Sequence, residues 1–307
     1  MERMRKIGSL EVSVAGLGCN NFGMRIDEDA TKTVVDAAID AGVNFFDTAD
    51  LYGGTKSEEF LGRALGKRRD DVVVATKFGM LKPPEGSGLT GGDPKWVAQA
   101  ADASLERLGT DRIDLYWFHC PDPDTPIGAT LEALDQLVTA GKVREIACSN
   151  FSAAQLAEAA AQARERGTRA FVAVQNDYSL MQREPEAEVL PKCAELGIAF
   201  VPYFPLASGL LTGKYRKGEA PPEGTRLAQW GAPSRDKLAT VEKLEAFATE
   251  RGHTITELAL SWLAGRPEVA SVIAGATKPD QVKTNVAATT AWDLSDEERA
   301  EVEKILG

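Results

Sequence analysis

Apolar residues along this chain fall into two alternating kinds of run. The first kind is short, continuous and rich in β-branched and aromatic residues. Examples are VSVAGLGC ending at Cys19, VNFFDTAD from Val43, DVVVATKFG over 71–79 and RIDLYWFHC over 112–120. KVREIACSN from Lys142, AFVAVQND from Ala170, IAFVPYFPL over 198–206 and VASVIAGA from Val269 continue the series. Strands buried on both faces of a parallel sheet read this way. The second kind has helical spacing, with polar residues between the apolar ones. It covers 29–42, 57–66, 94–109 and 125–141, then SAAQLAEAAAQARERG, PEAEVLPKCAELG, DKLATVEKLEAFATERG, TITELALSWLAG, PDQVKTNVAAT and SDEERAEVEKILG. Several of these open on a Ser or an acidic residue and close on Gly, the usual helix punctuation.

Eight strand-then-helix units in 307 residues predict an α/β fold. That number favours a closed (β/α)8 TIM barrel over an open doubly wound sheet, with residues 1–307 as one barrel domain. Ahead of it, MRKIGSLEVSV predicts a short N-terminal β-hairpin turning at Gly8-Ser9. One interval is anomalous. About 70 residues separate strand seven from strand eight, against roughly 27–41 elsewhere. The excess includes 205–235, with PPEGTR and several glycines. A long loop at a strand's C-terminal end lies on the face where such barrels bind ligands. It is expected to cover the ligand.

Charge narrows the partners. The 35 Lys and Arg against 46 Asp and Glu give a net charge of −11, with the basic residues scattered. A nucleic-acid partner needs a basic patch, and an anionic membrane surface is disfavoured for the same reason. No run reaches the roughly 18 apolar residues of a membrane helix, and Glu11 interrupts any export signal at the N-terminus. Cys19, Cys120, Cys148 and Cys193 form no CxxC pair and no metal-ligand spacing. No metal is expected, and a reducing, cytoplasmic compartment fits best. The three cysteines near strand ends read as small apolar filler. Monomer and homo-oligomer both stay open.

In such a barrel, polar residues at strand C-terminal ends are candidates for chemistry. Asp47 ends strand two, Tyr52 follows it, Lys77 ends strand three and His119 ends strand four. Ser149 and Asn150 end strand five, Gln175 and Asn176 strand six, and Tyr203 strand seven. A buried lysine needs a partner, and a Lys77–Asp47 pair that merely closes the barrel is the bland alternative. The four together have a chemical logic. A lysine cation favours phenolate and lowers a tyrosine's pKa, an aspartate holds the lysine, and a neutral histidine donates to a substrate oxygen. Carbonyl reduction needs such a set: a proton must reach the developing alkoxide as hydride reaches carbon. No side chain supplies hydride, so a nicotinamide is implied.

These residues lie in stretches that together resemble the aldo-keto reductase superfamily along nearly the whole chain. The stretches are GLGCNNFG, NFFDTADLYGG, VVATKFG, DLYWFHCPD, GKVREIACSNF, VQNDYSL, PYFPLASGLLTGKY and SVIAGATKPDQVKTN, in that order. The resemblance implies a barrel that binds NADPH without a Rossmann fold. Tyr52 would be the general acid, Lys77 would lower its pKa, Asp47 would pair with Lys77, and His119 would orient the carbonyl. Asp47, Ser149, Asn150 and Gln175 would contact the nicotinamide end of the cofactor, with Tyr203 stacked under the ring. Leu206, Ser208, Gly209, Leu211 and Lys214 match a pyrophosphate loop. Gly275, Thr277, Lys278, Gln281 and Asn285 match the adenosine-phosphate site. A helix opening at Thr277-Lys278 favours phosphate there. Lys278, with Arg226 from the long loop, favours NADP over NAD. Ala274 stands where a proline is common. Besides Tyr52 and His119, the substrate pocket is expected to use Met24, Leu81 and Trp230, an apolar lining suited to hydrophobic aldehydes or ketones.

The expected function is therefore NADPH-dependent reduction of small-molecule aldehydes or ketones to alcohols. A second reading is a non-enzymatic NADPH-binding regulatory subunit, because PYFPLASGLLTGKY also resembles the β-subunits of voltage-gated potassium channels. A remote third is a lyase or aldolase with Lys77 as a Schiff-base nucleophile.

Overall fold

Each of the eight apolar runs forms a strand in the computed structural model, which describes residues 4–215, 228 and 234–307. They are β3 (Ala15–Gly18), β4 (Phe45–Asp47), β5 (Val73–Phe78), β6 (Ile113–Phe118), β7 (Val143–Ser149), β8 (Ala173–Asp177), β9 (Ala199–Tyr203) and β10 (Val272–Gly275). All pair in parallel, in the order β10-β3-β4-β5-β6-β7-β8-β9. The ring closes where Phe200 of β9 pairs with Val269, just ahead of β10. The Phe200 N–H donates to the Glu268 carbonyl at 2.8 Å, and the Ala270 N–H donates to the Phe200 carbonyl at 2.9 Å. This is the expected (β/α)8 barrel.

Helices α1 (Glu28–Asp40), α2 (Lys56–Leu65), α3 (Pro94–Leu108), α4 (Ile127–Thr139), α5 (Ala153–Arg166) and α6 (Val189–Leu196) surround it. So do α7 (Arg235–Glu250), α8 (Ile255–Ala264), α9 (Pro279–Thr289) and α10 (Asp296–Leu306). Local chemistry sets their ends. Ser152, Thr254 and Ser295 each form a reciprocal capping box, and Gly109, Gly167 and Gly197 end helices in the left-handed conformation.

One predicted helix is divided. PEAEVLPKCAELG forms a 3-10 turn at Glu184–Glu186 and then α6. Pro191 sits in the first turn of α6, where its missing N–H is harmless. In a continuous helix its ring would strike the Ala187 carbonyl.

The hairpin β1 (Met4–Ile7) and β2 (Leu10–Ser13) is antiparallel, turning at Gly8. Its Ile7, Leu10 and Val12 pack against the inward-facing Phe45, Val73, Leu115, Trp117 and Val201 and seal one end of the barrel. The other end is open to function. A larger apolar layer fills the space between strands and helices. Most of the long loop after β9 lies outside the described residues, as do Arg226 and Trp230.

Candidate active site

The open end of the barrel holds a cavity of about 730 Å³. Strand alternation puts Val73, Ala75 and Lys77 on the inner face of β5, so Lys77 enters the barrel fully buried. Its ammonium donates to Asp47 Oδ2, to the Thr48 carbonyl at 2.8 Å and to the Tyr52 hydroxyl at 3.4 Å. Burial opposes the charge on Lys77, but Asp47 and Tyr52 outweigh it and raise its pKa. Lys77 is thus held as a cation. On the other side of Asp47, Gln175 Nε2 donates to Oδ1 at 3.0 Å. Both carboxylate oxygens are therefore engaged.

Tyr52 stands on a turn pressed onto its neighbours. The Tyr52 N–H donates to the Ala49 carbonyl at 3.1 Å. Gly53 follows with φ +61°, and a Cβ there would stand 2.4 Å from the Phe22 carbonyl oxygen. Only glycine fits this approach. Burial raises the Tyr52 pKa, with Lys77 pulling it down and Asp47 pushing it up. The lysine acts in the expected direction, but burial is larger, so Tyr52 stays a phenol.

His119 lies across the cavity, its ring edge-on to Tyr52 with centroids 6.1 Å apart. Burial, helped by Lys77, depresses its pKa to about 3. The imidazole is neutral at any ordinary pH. Its Nδ1 is buried without a hydrogen-bond partner.

The structure brings most of the other expected residues to the same cavity. Ser149, Asn150, Gln175, Tyr203, Leu206, Ser208, Gly209 and Lys214 line it, and it runs on to Gly275, Thr277, Lys278, Gln281 and Asn285. Three expected contacts fall differently. Leu211 is fully buried in the apolar layer outside the barrel. Its short 3-10 stretch Ala207–Thr212 is broken by Ser208 and Gly209 at φ 58° and 96°, which points Leu211 inward to the core and puts Thr212 on the cavity wall. Met24 is 61% exposed and lies off the cavity wall, as does Leu81. Trp230 is not among the described residues. Met80, Cys120 and Phe204 line the pocket instead, together with Asn20, Asn21 and Arg25. The Asn20-Asn21 pair directly after a strand end was the available signal for the last group.

The Aldo/keto reductase family profile matches residues 15–306. The chain belongs to the aldo/keto reductase family. A probable voltage-gated potassium channel subunit beta of Oryza sativa subsp. japonica is 37% identical over 279 residues, 87% of this chain and 84% of that protein. An uncharacterized oxidoreductase of Bacillus subtilis (strain 168) is 36% identical, covering 91% of this chain and 88% of its own length. In three dimensions a glycerol dehydrogenase from Gluconobacter oxydans superposes with a TM-score of 0.86 at 29% identity, covering 99% of this chain and 95% of the other. Membership supports an oxidoreductase, and aldo/keto reductases in general bind a nicotinamide cofactor.

The groove of this aldo/keto reductase suits such a cofactor. Phe204, Ala207, Ser208 and Gly209 all have positive φ. The Ala207 and Gly209 N–H groups donate within the turn, to the Phe204 and Leu206 carbonyls at 2.8 Å each, which holds Ser208 and Gly209 on the cavity wall. Further along, α9 opens at Lys278 with no side chain capping it; Pro279 has no N–H and the Gln281 N–H donates to the Lys278 carbonyl at 3.1 Å, so the charge of Lys278 is the main thing this end offers a phosphate. A Cβ on Gly275 would meet the Asn20 and Asn21 side chains at 3.1 Å, which keeps the groove narrow there. Among the described residues no group of His, Cys, Asp and Glu could hold a metal ion, and no helix is long and apolar enough to cross a membrane. All four cysteines are free. Cys120 borders the cavity, but burial raises its pKa, so it stays a thiol.

Proposed function

We propose that this chain reduces small aldehydes or ketones to alcohols with NADPH. What supports the reading most is the meeting of Tyr52, Lys77, Asp47 and His119 at one end of a cavity that continues to Lys278. NADPH, when bound, supplies hydride to the carbonyl carbon. Tyr52 gives its phenolic proton to the oxygen, so C=O becomes CH–OH. The Lys77 ammonium stabilises the phenolate left behind, and Asp47 keeps Lys77 charged and in place. Neutral His119 donates a hydrogen bond that orients the carbonyl. Ser149, Asn150, Gln175 and Tyr203 would hold the nicotinamide end, and Lys278 the 2′-phosphate. Met80, Cys120 and Phe204 give the substrate end a largely apolar wall suited to hydrophobic carbonyls. Free cysteines suit work in the cytoplasm.

The test is Tyr52→Phe. NADPH-dependent turnover of a panel of aldehydes, ketones and quinones should fall by roughly 10²–10⁴, the usual share of a general acid. NADPH binding by fluorescence titration should stay within about threefold. Undiminished turnover would overturn the mechanism. The similarity to potassium channel beta subunits favours a second reading, a regulatory subunit that binds NADPH. Tight NADPH binding with no turnover of any carbonyl would move the assignment there.

A further inference from the structure

Behind the reactive pair lies a second acid that the proposed reaction does not use. Asp50 is 1% exposed, and neither of its carboxylate oxygens has a hydrogen-bond partner. Its backbone N–H donates to the Lys77 carbonyl at 3.2 Å, while the Thr48 N–H donates to the Ala75 carbonyl at 2.9 Å. The turn that carries Tyr52 is thereby clamped to β5.

The surroundings of Asp50 hold two cations, both already matched. Arg107 of α3 pairs with Glu58 of α2 at 2.6 Å, and Glu58 also accepts from the Thr76 hydroxyl at 2.5 Å. Lys77, on β5, is matched by Asp47. The Tyr116 hydroxyl of β6 is buried and also lacks a partner. Cys120, following β6, and the Leu51 N–H complete the groups that face Asp50. Two carboxylates and one guanidinium in a buried space leave one acid without a counter-charge. Glu58 holds the arginine, so Asp50 is the acid that keeps its proton. Burial, with Glu58 pushing the same way, raises its pKa to about 7, against the pull of Arg107, the Leu51 N–H and Lys77.

We propose that Asp50 is a positioning residue that stores a proton behind Lys77, and that its charge state, acting through Lys77, sets how readily Tyr52 gives up its own proton. This rests on the reading of Tyr52 as proton donor. When Asp50 is neutral, Asp47 and the Tyr52 oxygen are the anionic partners Lys77 sees, and the phenolate is well supported. When Asp50 ionises, a second anion draws on the same ammonium and disfavours phenolate. Reduction requires Tyr52 to become phenolate, so it should slow as Asp50 loses its proton.

The experiment compares the wild-type chain with Asp50→Asn, whose amide mimics the protonated acid. Wild-type turnover should fall about three- to tenfold between about pH 6 and 8, while Asp50→Asn stays flat within about twofold. Superimposable profiles would overturn the proposal. Tyrosinate absorbance needs no substrate and separates this idea from the reductase reading. Subtracting the Tyr52→Phe titration isolates Tyr52, which should ionise at lower pH in Asp50→Asn than in the wild type. An unchanged Tyr52 titration counts against the proposal even if carbonyls are reduced. If Asp50→Asn does not fold, carboxyl ¹³C NMR of the wild type decides. A buried carboxyl that still titrates near neutrality when Asp177→Asn removes the raised acid at the end of β8 supports the proposal, and its absence overturns it.

Discussion

The Tyr203 hydroxyl donates to Asn150 Oδ1 at 2.8 Å, and Asn150 Nδ2 passes the link on to the His119 carbonyl at 2.9 Å. A chain of contacts thus crosses three strand ends, from β9 through β7 to the end of β6. Asn150 is held for this at φ 63°, with its N–H donating to the Gln175 carbonyl at 3.0 Å. The side chain expected to meet the cofactor already has its amide engaged at both ends. Its main service in this arrangement is to fix the Tyr203 ring and the His119 backbone relative to each other.

Tyr203→Phe keeps the ring and removes the link. A hydrogen bond of this kind contributes about 1 kcal/mol, so NADPH affinity should weaken by about fivefold. Fluorescence titration reads this directly. Unchanged affinity would show that the ring is positioned by packing alone.

His119 makes a pH prediction with a definite sign. Its pKa falls from 6.5 in the open chain to about 3 in the fold. Between those values the unfolded chain binds a proton that the folded one refuses. Stability from this group is therefore full above pH 6.5 and declines toward pH 3, by about 1.4 kcal/mol per pH unit. In His119→Gln the thermal midpoint should fall less steeply with acid than in the wild type. Parallel curves would mean that His119 is not held neutral.

Much of this arrangement is legible in the chain itself. Lys77 and His119 each end a continuous apolar run, and a charged or polar group at such a place is costly unless it is used. Asp47, inside VNFFDTAD, reads the same way. The barrel follows from the same runs. Other features are invisible at that level because they depend on the direction of individual side chains. DTAD carries two acids, and the local pattern does not tell that Asp47 faces into the barrel while Asp50 faces the layer behind it. Glu58 and Arg107 look like ordinary helix-surface charges, yet Glu58 is fully buried. The left-handed turns at Ser208 and Gly209 decide that Leu211 goes to the core. Of the residues just past β5, Met80 rather than Leu81 reaches the cavity, a one-residue difference in loop direction.

On the proposed reading, Lys278 would carry the preference for NADPH over NADH. It stands at the open N-terminus of α9, on the cavity wall beside Thr277 and Gln281. The Thr277 N–H donates to Gln281 Oε1 at 2.8 Å, which stiffens the entry to the helix. A lysine charge lost from a phosphate contact costs about 1.5–3 kcal/mol. Lys278→Ala should raise the Kd for NADPH by roughly 10- to 100-fold and leave NADH within about threefold. Equal losses for both would remove the 2′-phosphate from this site.

Gly53 tests whether the Tyr52 turn is as tightly set as it looks. Its φ of +61° and the 2.4 Å approach of the Phe22 carbonyl oxygen leave no room for a Cβ. Gly53→Ala must either strain the backbone or push the turn off the loop that follows β3. Neighbouring Gly54 also has positive φ, at +63°, but a Cβ there meets nothing within 4 Å. The pair separates conformational strain from collision. Gly54→Ala should cost about 1 kcal/mol, from the left-handed backbone alone, and leave kcat nearly intact. Gly53→Ala should cost more stability and also lower kcat by at least about tenfold. Small displacements of a proton donor are amplified in rate. Thermal melts and turnover on one aldehyde give both readouts. Equal behaviour of the two variants would show that the contact with Phe22 does not position Tyr52.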